Sequence, residues 1–101
     1  MSLEPDYRLV ESTLDELEQG SDARLLNAVY DVLDLILDHP ESAEARRGLV
    51  HSESGRAVWI VPVSAARHEW SVLWWQDDSI AVIAYVGPWP LAGQATRRSH
   101  R

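Results

Sequence analysis

The side chains of this chain that could exchange protons or hold a metal are its histidines and one row of aspartates. His68 stands between Arg67 and Glu69, where an imidazole could act as a general acid or base. A polar residue at the entrance of a strand explains the same position, and this is the favoured interpretation. The four histidines show no metal-ligand spacing, so the sequence predicts no metal site. It contains no phosphate-cradling glycine loop and no dinucleotide fingerprint, so no cofactor is predicted.

A row of three aspartates recurs at helical spacing: Asp31, Asp34 and Asp38. Carboxylates on one side of a helix could bind a divalent cation. A solvated polar helix face is the simpler interpretation.

The composition indicates one small domain of 101 residues with no cysteine and a net charge of −7. Residues 1–55 contain 13 acidic and 4 basic residues, a balance of −9, whereas residues 56–101 contain 3 and 5, a balance of +2. The acidic half repels phosphate, so strong nucleic-acid binding is not expected. No apolar segment is long enough to span a membrane and no signal peptide is evident, so we expect a cytoplasmic protein without a membrane partner.

The strongest strand pattern lies between residues 56 and 86. Three segments rich in β-branched and aromatic residues follow one another there: 56–63, 68–76 and 79–86. Asp77-Asp78 separates the last two and predicts a two-residue hairpin turn. We therefore expect three consecutive antiparallel strands.

A short strand and two helices are predicted ahead of this block. Residues 6–10 favour the strand, and Thr13 with Glu16 fits a capping box for a helix that ends at Gly20. Ser21 is a suitable N-cap for a longer helix, which runs to about Asp38 because of the proline that follows. Its apolar face consists of Leu25, Leu26, Val29, Val32, Leu33 and Ile36.

The predicted fold class is α+β: a short N-terminal strand, two helices and a three-stranded antiparallel meander, with the helices packed on one face of the sheet. Residues 41–55 are expected to form an irregular connection. Residues 1–90 form the predicted domain, and the polar residues 91–101 are expected to be a disordered tail.

Six short motifs occur in order along the chain: Tyr7-Arg8-Leu9-Val10, Asp38-His39-Pro40, Arg46-Arg47-Gly48-Leu49, Gly55-Arg56, Trp70-Ser71-Val72-Leu73-Trp74 and Tyr85-Val86-Gly87. Their order and spacing, over roughly residues 6–87, resemble the RelE/ParE superfamily of toxins from bacterial toxin–antitoxin pairs. The resemblance implies a RelE/ParE-like fold and neutralisation by an antitoxin whose peptide segment wraps the toxin. It also implies a ribosome or DNA gyrase as the target, since RelE-type members cleave mRNA on ribosomes and ParE-type members inhibit gyrase.

The catalytic positions of the RelE type are mostly not matched. Ser71 stands where the family often has arginine, and Pro88-Trp89 stands where it commonly has histidine and arginine. RNA cleavage of this type needs a cation and a proton-transfer group. In this chain Arg56, Arg67 and His68 would have to supply them.

Successive side chains of a strand point to opposite faces, so Trp74 and Trp75 cannot both enter one core. If Trp74 faces the helices, an aromatic patch remains on the open face: Leu73, Trp75, Ile83, Tyr85 and Trp89. We expect this patch to bind an antitoxin-like protein or a second copy of the chain, unless the connection 41–55 or the tail covers it.

The expected function is therefore that of a toxin-like component that acts by protein binding. An mRNA endonuclease, or a non-toxic dimerising or adaptor domain, are the alternatives.

Overall fold

The computed structural model describes residues 2–65 and 69–89. In that part the chain is an α+β protein with two helices and a five-stranded mixed sheet, in the strand order β1-β5-β4-β3-β2. The elements are β1 (Glu4–Asp6), α1 (Glu11–Gln19), α2 (Ala23–Asp38), β2 (Gly48–His51), β3 (Ala57–Pro62), β4 (Trp70–Asp77) and β5 (Ile80–Pro88). The four strands β2 to β5 form an antiparallel meander, and β1 joins it parallel to β5.

The prediction of a three-stranded meander was wrong because β2 lies in the segment that was expected to be irregular. Four residues form this strand, and it pairs with β3 from Gly48↔Ile60 to His51↔Ala57. A turn closed by Ser52 follows it, in which the Ser52 amide donates to the Arg56 carbonyl (2.9 Å) and Gly55 adopts φ +87°. Arginines precede this strand and serines follow it, so the segment has the composition of a loop. A strand of only four residues is therefore not recognisable from the sequence.

The first strand also differs from the predicted range of 6–10. β1 covers Glu4–Asp6, and the next residues form a turn instead of a strand. The Asp6 carboxylate accepts from both the backbone amide and the guanidinium of Arg8, and the Val10 amide donates to the Tyr7 carbonyl. These local bonds compete with strand pairing and lead the chain directly into α1.

Helix α2 ends at Asp38 as predicted and begins with a different cap. The Asp22 carboxylate accepts from the Leu25 amide (3.0 Å), so Asp22 and not Ser21 is the N-cap. Five residues of the predicted apolar face are buried: Leu25, Val29, Val32, Leu33 and Ile36. At about 1.5–3 kcal/mol for each side chain, their burial contributes roughly 10 kcal/mol before conformational entropy is subtracted.

Two groups of buried side chains occupy the two faces of the sheet. The main cluster contains buried residues of α1 and α2 together with Val61, Trp74 and Ile83. The second cluster contains Val58, Ile60 and Leu73 at its centre, with Val50, Trp75 and Trp89 packed against them. Trp74 is fully buried in the main cluster and Trp75 belongs to the second, so the predicted divergence of the two indoles is confirmed.

A β-bulge interrupts the pairing of β4 with β5. Leu73 lies opposite Tyr85 and Trp74 lies opposite Ile83, so Ala84 is an extra residue on β5. The extra residue shifts the alternation of β5 by one position, which moves Ile83 into the main cluster with an exposed fraction of 0%. The prediction that Ile83 belongs to the open face was therefore wrong.

The hairpin turn between β4 and β5 is displaced by one residue from its predicted position. Asp77 pairs with Ile80, which leaves Asp78 and Ser79 as the turn. Asp78 adopts φ +56°, and Asp is one of the few residue types besides glycine that tolerate this conformation.

Candidate functional site

The candidate site is the sheet face that carries Leu73 and Trp75, which we call the second face. Strands β2, β3 and β4 contribute its floor, in which Val58, Ile60 and Leu73 are buried. Trp75 and Trp89 lie partly exposed against this floor, and Tyr85 is 37% exposed beside them. Leu73 is only 6% exposed, so it supports the surface and is not itself available for contact, contrary to the prediction.

Ser71 holds Trp89 in place on the second face. The Ser71 hydroxyl, which is buried, donates to the Trp89 carbonyl (2.8 Å). The Trp89 amide in turn donates to the Glu69 carbonyl (2.8 Å) and continues the ladder beyond β5. Ser71 therefore satisfies its own hydroxyl and fixes the backbone of an aromatic residue.

Tyr85 and Trp89 form an edge-to-face pair with ring centroids 5.8 Å apart. The Tyr85 hydroxyl donates to the Pro88 carbonyl (3.0 Å) and folds the ring back over the strand. A Cβ atom at Gly87 would lie 2.7 Å from that hydroxyl oxygen, so the glycine makes room for the ring. This local arrangement holds two aromatic side chains at the surface in a fixed geometry.

Arg56 is the cation of the second face in the described part of the chain. Its guanidinium carbon lies 4.7 Å from the centroid of the Trp75 ring, and Arg56 is exposed. A cation–π contact at such a site contributes about 0.5–1 kcal/mol. Arg56 is positioned by the turn before β3, where its amide donates to the Ser52 hydroxyl (3.1 Å).

Of the predicted catalytic group, Arg56 lies on the second face, and Arg67 and His68 lie outside the described residues. Of the predicted interface residues, Trp75, Tyr85 and Trp89 lie on this face, where Trp75 contacts Arg56 and Tyr85 pairs with Trp89. The bulge at Ala84 and the strand β2, which decide the composition of the face, had no signal in the sequence strong enough to find them.

The connection between α2 and β2 lies against the main cluster and does not cover the second face. Ala45 is fully buried in the main cluster, and its carbonyl accepts from the Trp74 Nε1–H group (2.8 Å). The Arg46 guanidinium lies over the Trp59 ring at 5.0 Å and its Nε–H group donates to the Pro40 carbonyl (2.8 Å). Val50, later in the segment 41–55, packs on the second cluster as part of β2. The tail, residues 91–101, which was the other segment expected to cover the patch or to be disordered, lies outside the described residues.

An open cleft of about 280 Å³ lies on the same side as this connection. Asp31, Glu44 and Arg47 stand at its rim, and Val32, Leu35 and Val61 form apolar parts of its wall. Asp31, Asp34 and Asp38 are all exposed, and no three acidic or histidine side chains of residues 2–65 and 69–89 are grouped for a metal ion.

The resolved pKa shifts in the described ranges belong to the β1–α1 turn and to the contact between α1 and α2. The Arg8 side chain, which donates to Asp6, lowers the pKa of the Asp6 carboxyl. Burial, and then the charge of Asp34, raise the pKa of Tyr7. The hydrogen bond to the Glu18 carboxylate is the largest cause that raises the pKa of Tyr30. These shifts describe structural contacts and do not single out an acid–base pair on the second face.

No known protein-family model, no curated protein and no solved structure matches this chain. Neither of the helices in the described ranges has the length and apolar content needed to cross a membrane.

Proposed function

We propose that this chain is a protein-binding domain whose second face docks a partner protein, and that it acts as the toxin-like component of a type II toxin–antitoxin pair. The observation that carries the proposal is the surface formed by Trp75, Tyr85 and Trp89 with the guanidinium of Arg56. Tryptophan, tyrosine and arginine are the side chains that most often dominate binding energy at protein interfaces.

The chemistry of the face favours a partner segment with an apolar side chain next to a carboxylate. Trp75, Tyr85 and Trp89 offer ring area that is already held by hydrogen bonds and packing, so little entropy is lost on binding. Arg56 can keep its place on the indole and still pair with a carboxylate at the rim, because it is exposed.

The toxin-like part of the proposal rests on the resemblance to the RelE/ParE superfamily. The element order of strand, two helices and an antiparallel meander supports it, as does the main cluster that joins both helices to the sheet. In such a pair the partner would be the antitoxin, and the cellular target would be a ribosome or gyrase.

Binding is a better account of the second face than RNA cleavage. Ser71 and Trp89 are hydrogen-bonded to each other at positions where the family has charged residues. The described part of the face offers Arg56 as its cation, and that guanidinium stacks on an indole. Cleavage of RNA would need a proton-transfer group beside it, for which His68 remains the sequence-based candidate.

The proposal predicts that a small antitoxin-like protein is encoded next to this gene, and that protein provides the test. We expect it to bind the purified chain and to reverse growth arrest when both are expressed. Trp75→Ala and Tyr85→Ala should each weaken binding about tenfold or more, which is the size of effect that interface anchors produce. Leu9→Ala is the matched control, because Leu9 is 63% exposed at the turn before α1.

Other outcomes separate the rival functions. Cleaved mRNA on induction, lost in Arg56→Ala and retained in Arg24→Ala, would establish the endonuclease instead. Absence of growth arrest together with partner binding through Trp75 would establish an adaptor domain. Equal binding by the Trp75→Ala and Leu9→Ala variants would refute the second face as the docking surface.

A further inference from the structure

The two edge strands of the sheet differ in how they are protected against pairing. β1 is three residues long and contains Glu4, Pro5 and Asp6. Short length, charge and proline are the features by which proteins prevent strand addition at an edge. β2, with the sequence Gly-Leu-Val-His, has neither a carboxylate nor a proline. The sheet is therefore protected at one edge and available at the other.

Leu49 and His51 present the free backbone groups of β2. The Ser52 amide donates to the Arg56 carbonyl, on the side of β3. In an antiparallel ladder every second residue directs its backbone hydrogen-bonding groups to the same neighbouring strand. Val50, which lies two residues before Ser52 and opposite Val58, therefore directs its N–H and C=O groups toward β3. The N–H and C=O groups of Leu49 and His51 point away from β3, and β2 is the last strand on that side among the described residues.

The side chains of this edge are equally unprotected. Leu49 is 48% exposed, which makes it one of the most exposed large aliphatic residues in the described part of the chain. Val50 is half-buried on the second face, where it packs against the second cluster. An apolar, uncharged edge with free peptide groups is a template for another strand.

We propose that β2 pairs antiparallel with β2 of a second copy of this chain, about a two-fold axis that passes between the two Val50 residues. In this register Leu49 of each copy lies opposite His51 of the other, and each such pair exchanges both backbone hydrogen bonds. All the outward N–H and C=O groups of both strands are then used. Val50 meets its own copy on the second face and extends the second cluster across the axis.

A second copy fits this edge because the free groups are arranged symmetrically around Val50. The strand also carries no carboxylate, so no two negative side chains of β2 lie opposite each other in the pairing. Four residues bury less area than the roughly 1,200–2,000 Å² of stable interfaces, so the association is weak, with a dissociation constant of about 10 µM to 1 mM.

Two measurements on the unmodified chain test the pairing. Sedimentation over about 10 µM to 1 mM should show a monomer that converts to a dimer. Amide hydrogen exchange should slow at Leu49 and His51 as the concentration rises, whereas the Val50 amide is protected at every concentration because it bonds within the monomer. A chain that stays monomeric, or exchange at Leu49 and His51 that is independent of concentration, would overturn the proposal.

Variants then locate the contact. Leu49→Lys should weaken the dimer at least about tenfold, whereas Leu9→Lys, at a leucine that is 63% exposed before α1, should leave it unchanged. Tyr85→Ala, on β5, which β3 and β4 separate from β2, should also leave it unchanged, so the pairing and the proposed partner binding fail separately. A dimer that survives Leu49→Lys and is lost in Tyr85→Ala would assign self-association to the second face and refute pairing through β2.

Discussion

Trp74 and Trp75 are neighbours in the chain and have different structural tasks. Trp74 is fully buried and its indole N–H group donates to the Ala45 carbonyl, which ties the α2–β2 connection to the sheet. Trp75 is partly exposed and carries Arg56 on its ring. One indole therefore stabilises the fold, and the other forms part of the proposed binding surface.

Replacing each indole by phenylalanine should separate these two tasks. Trp74→Phe removes buried volume and leaves the Ala45 carbonyl without its donor, so we expect a loss of about 2–4 kcal/mol in the free energy of unfolding. Trp75→Phe keeps an aromatic ring for Arg56 at a half-exposed position, so its cost should stay below about 1 kcal/mol. Urea unfolding of both variants measures the difference, and equal losses would contradict the assignment of the two faces.

At the level of secondary structure, the alternation of residues in β4 was predictable and the composition of the full second face was not. A period of two follows from strand geometry, so the divergence of Trp74 and Trp75 needed only the sequence. The bulge at Ala84 depends on how β5 fits β4, which local residue preferences do not encode. β2 is stabilised by pairing with β3 and not by its own four residues, so its existence also depends on tertiary context.

Proline substitutions in β2 test which backbone groups face β3. Val50→Pro removes an amide that bonds within the sheet, so we expect a loss of about 3 kcal/mol in the free energy of unfolding. Leu49→Pro removes an amide at the free edge and should cost clearly less. Val50→Ala controls for the lost side-chain packing on the second cluster. A larger loss for Leu49→Pro than for Val50→Pro, measured by urea unfolding, would show the opposite orientation of the strand.

On the scale of the whole molecule, negative charge is concentrated in the first 55 residues, which hold 13 acidic and 4 basic side chains. In the described ranges an ion pair joins Arg8 to Asp6, and few other basic residues lie in this half. Mutual repulsion therefore opposes the folded state, and salt weakens repulsion between exposed charges.

Added salt should consequently stabilise the protein. We expect Tm to rise by a few degrees between about 20 and 500 mM NaCl, as followed by circular dichroism. The double variant Asp31→Asn with Asp34→Asn, at two exposed positions of α2, should show a smaller rise. A Tm that falls with added salt would indicate that attractive ion pairs dominate.

The bulge at Ala84 changes which side chains of β5 point toward the main cluster. Before it, odd-numbered residues such as Ala81 and Ile83 point into the interior; after it, the even-numbered Val86 does. Deleting Ala84 would restore an uninterrupted ladder in which Ile83 stays opposite Trp74 and Tyr85 stays opposite Leu73, so every remaining residue would keep its face. A regular ladder through the present sequence would instead turn Tyr85 inward and Val86 outward, so the bulge is what keeps Val86 in the main cluster.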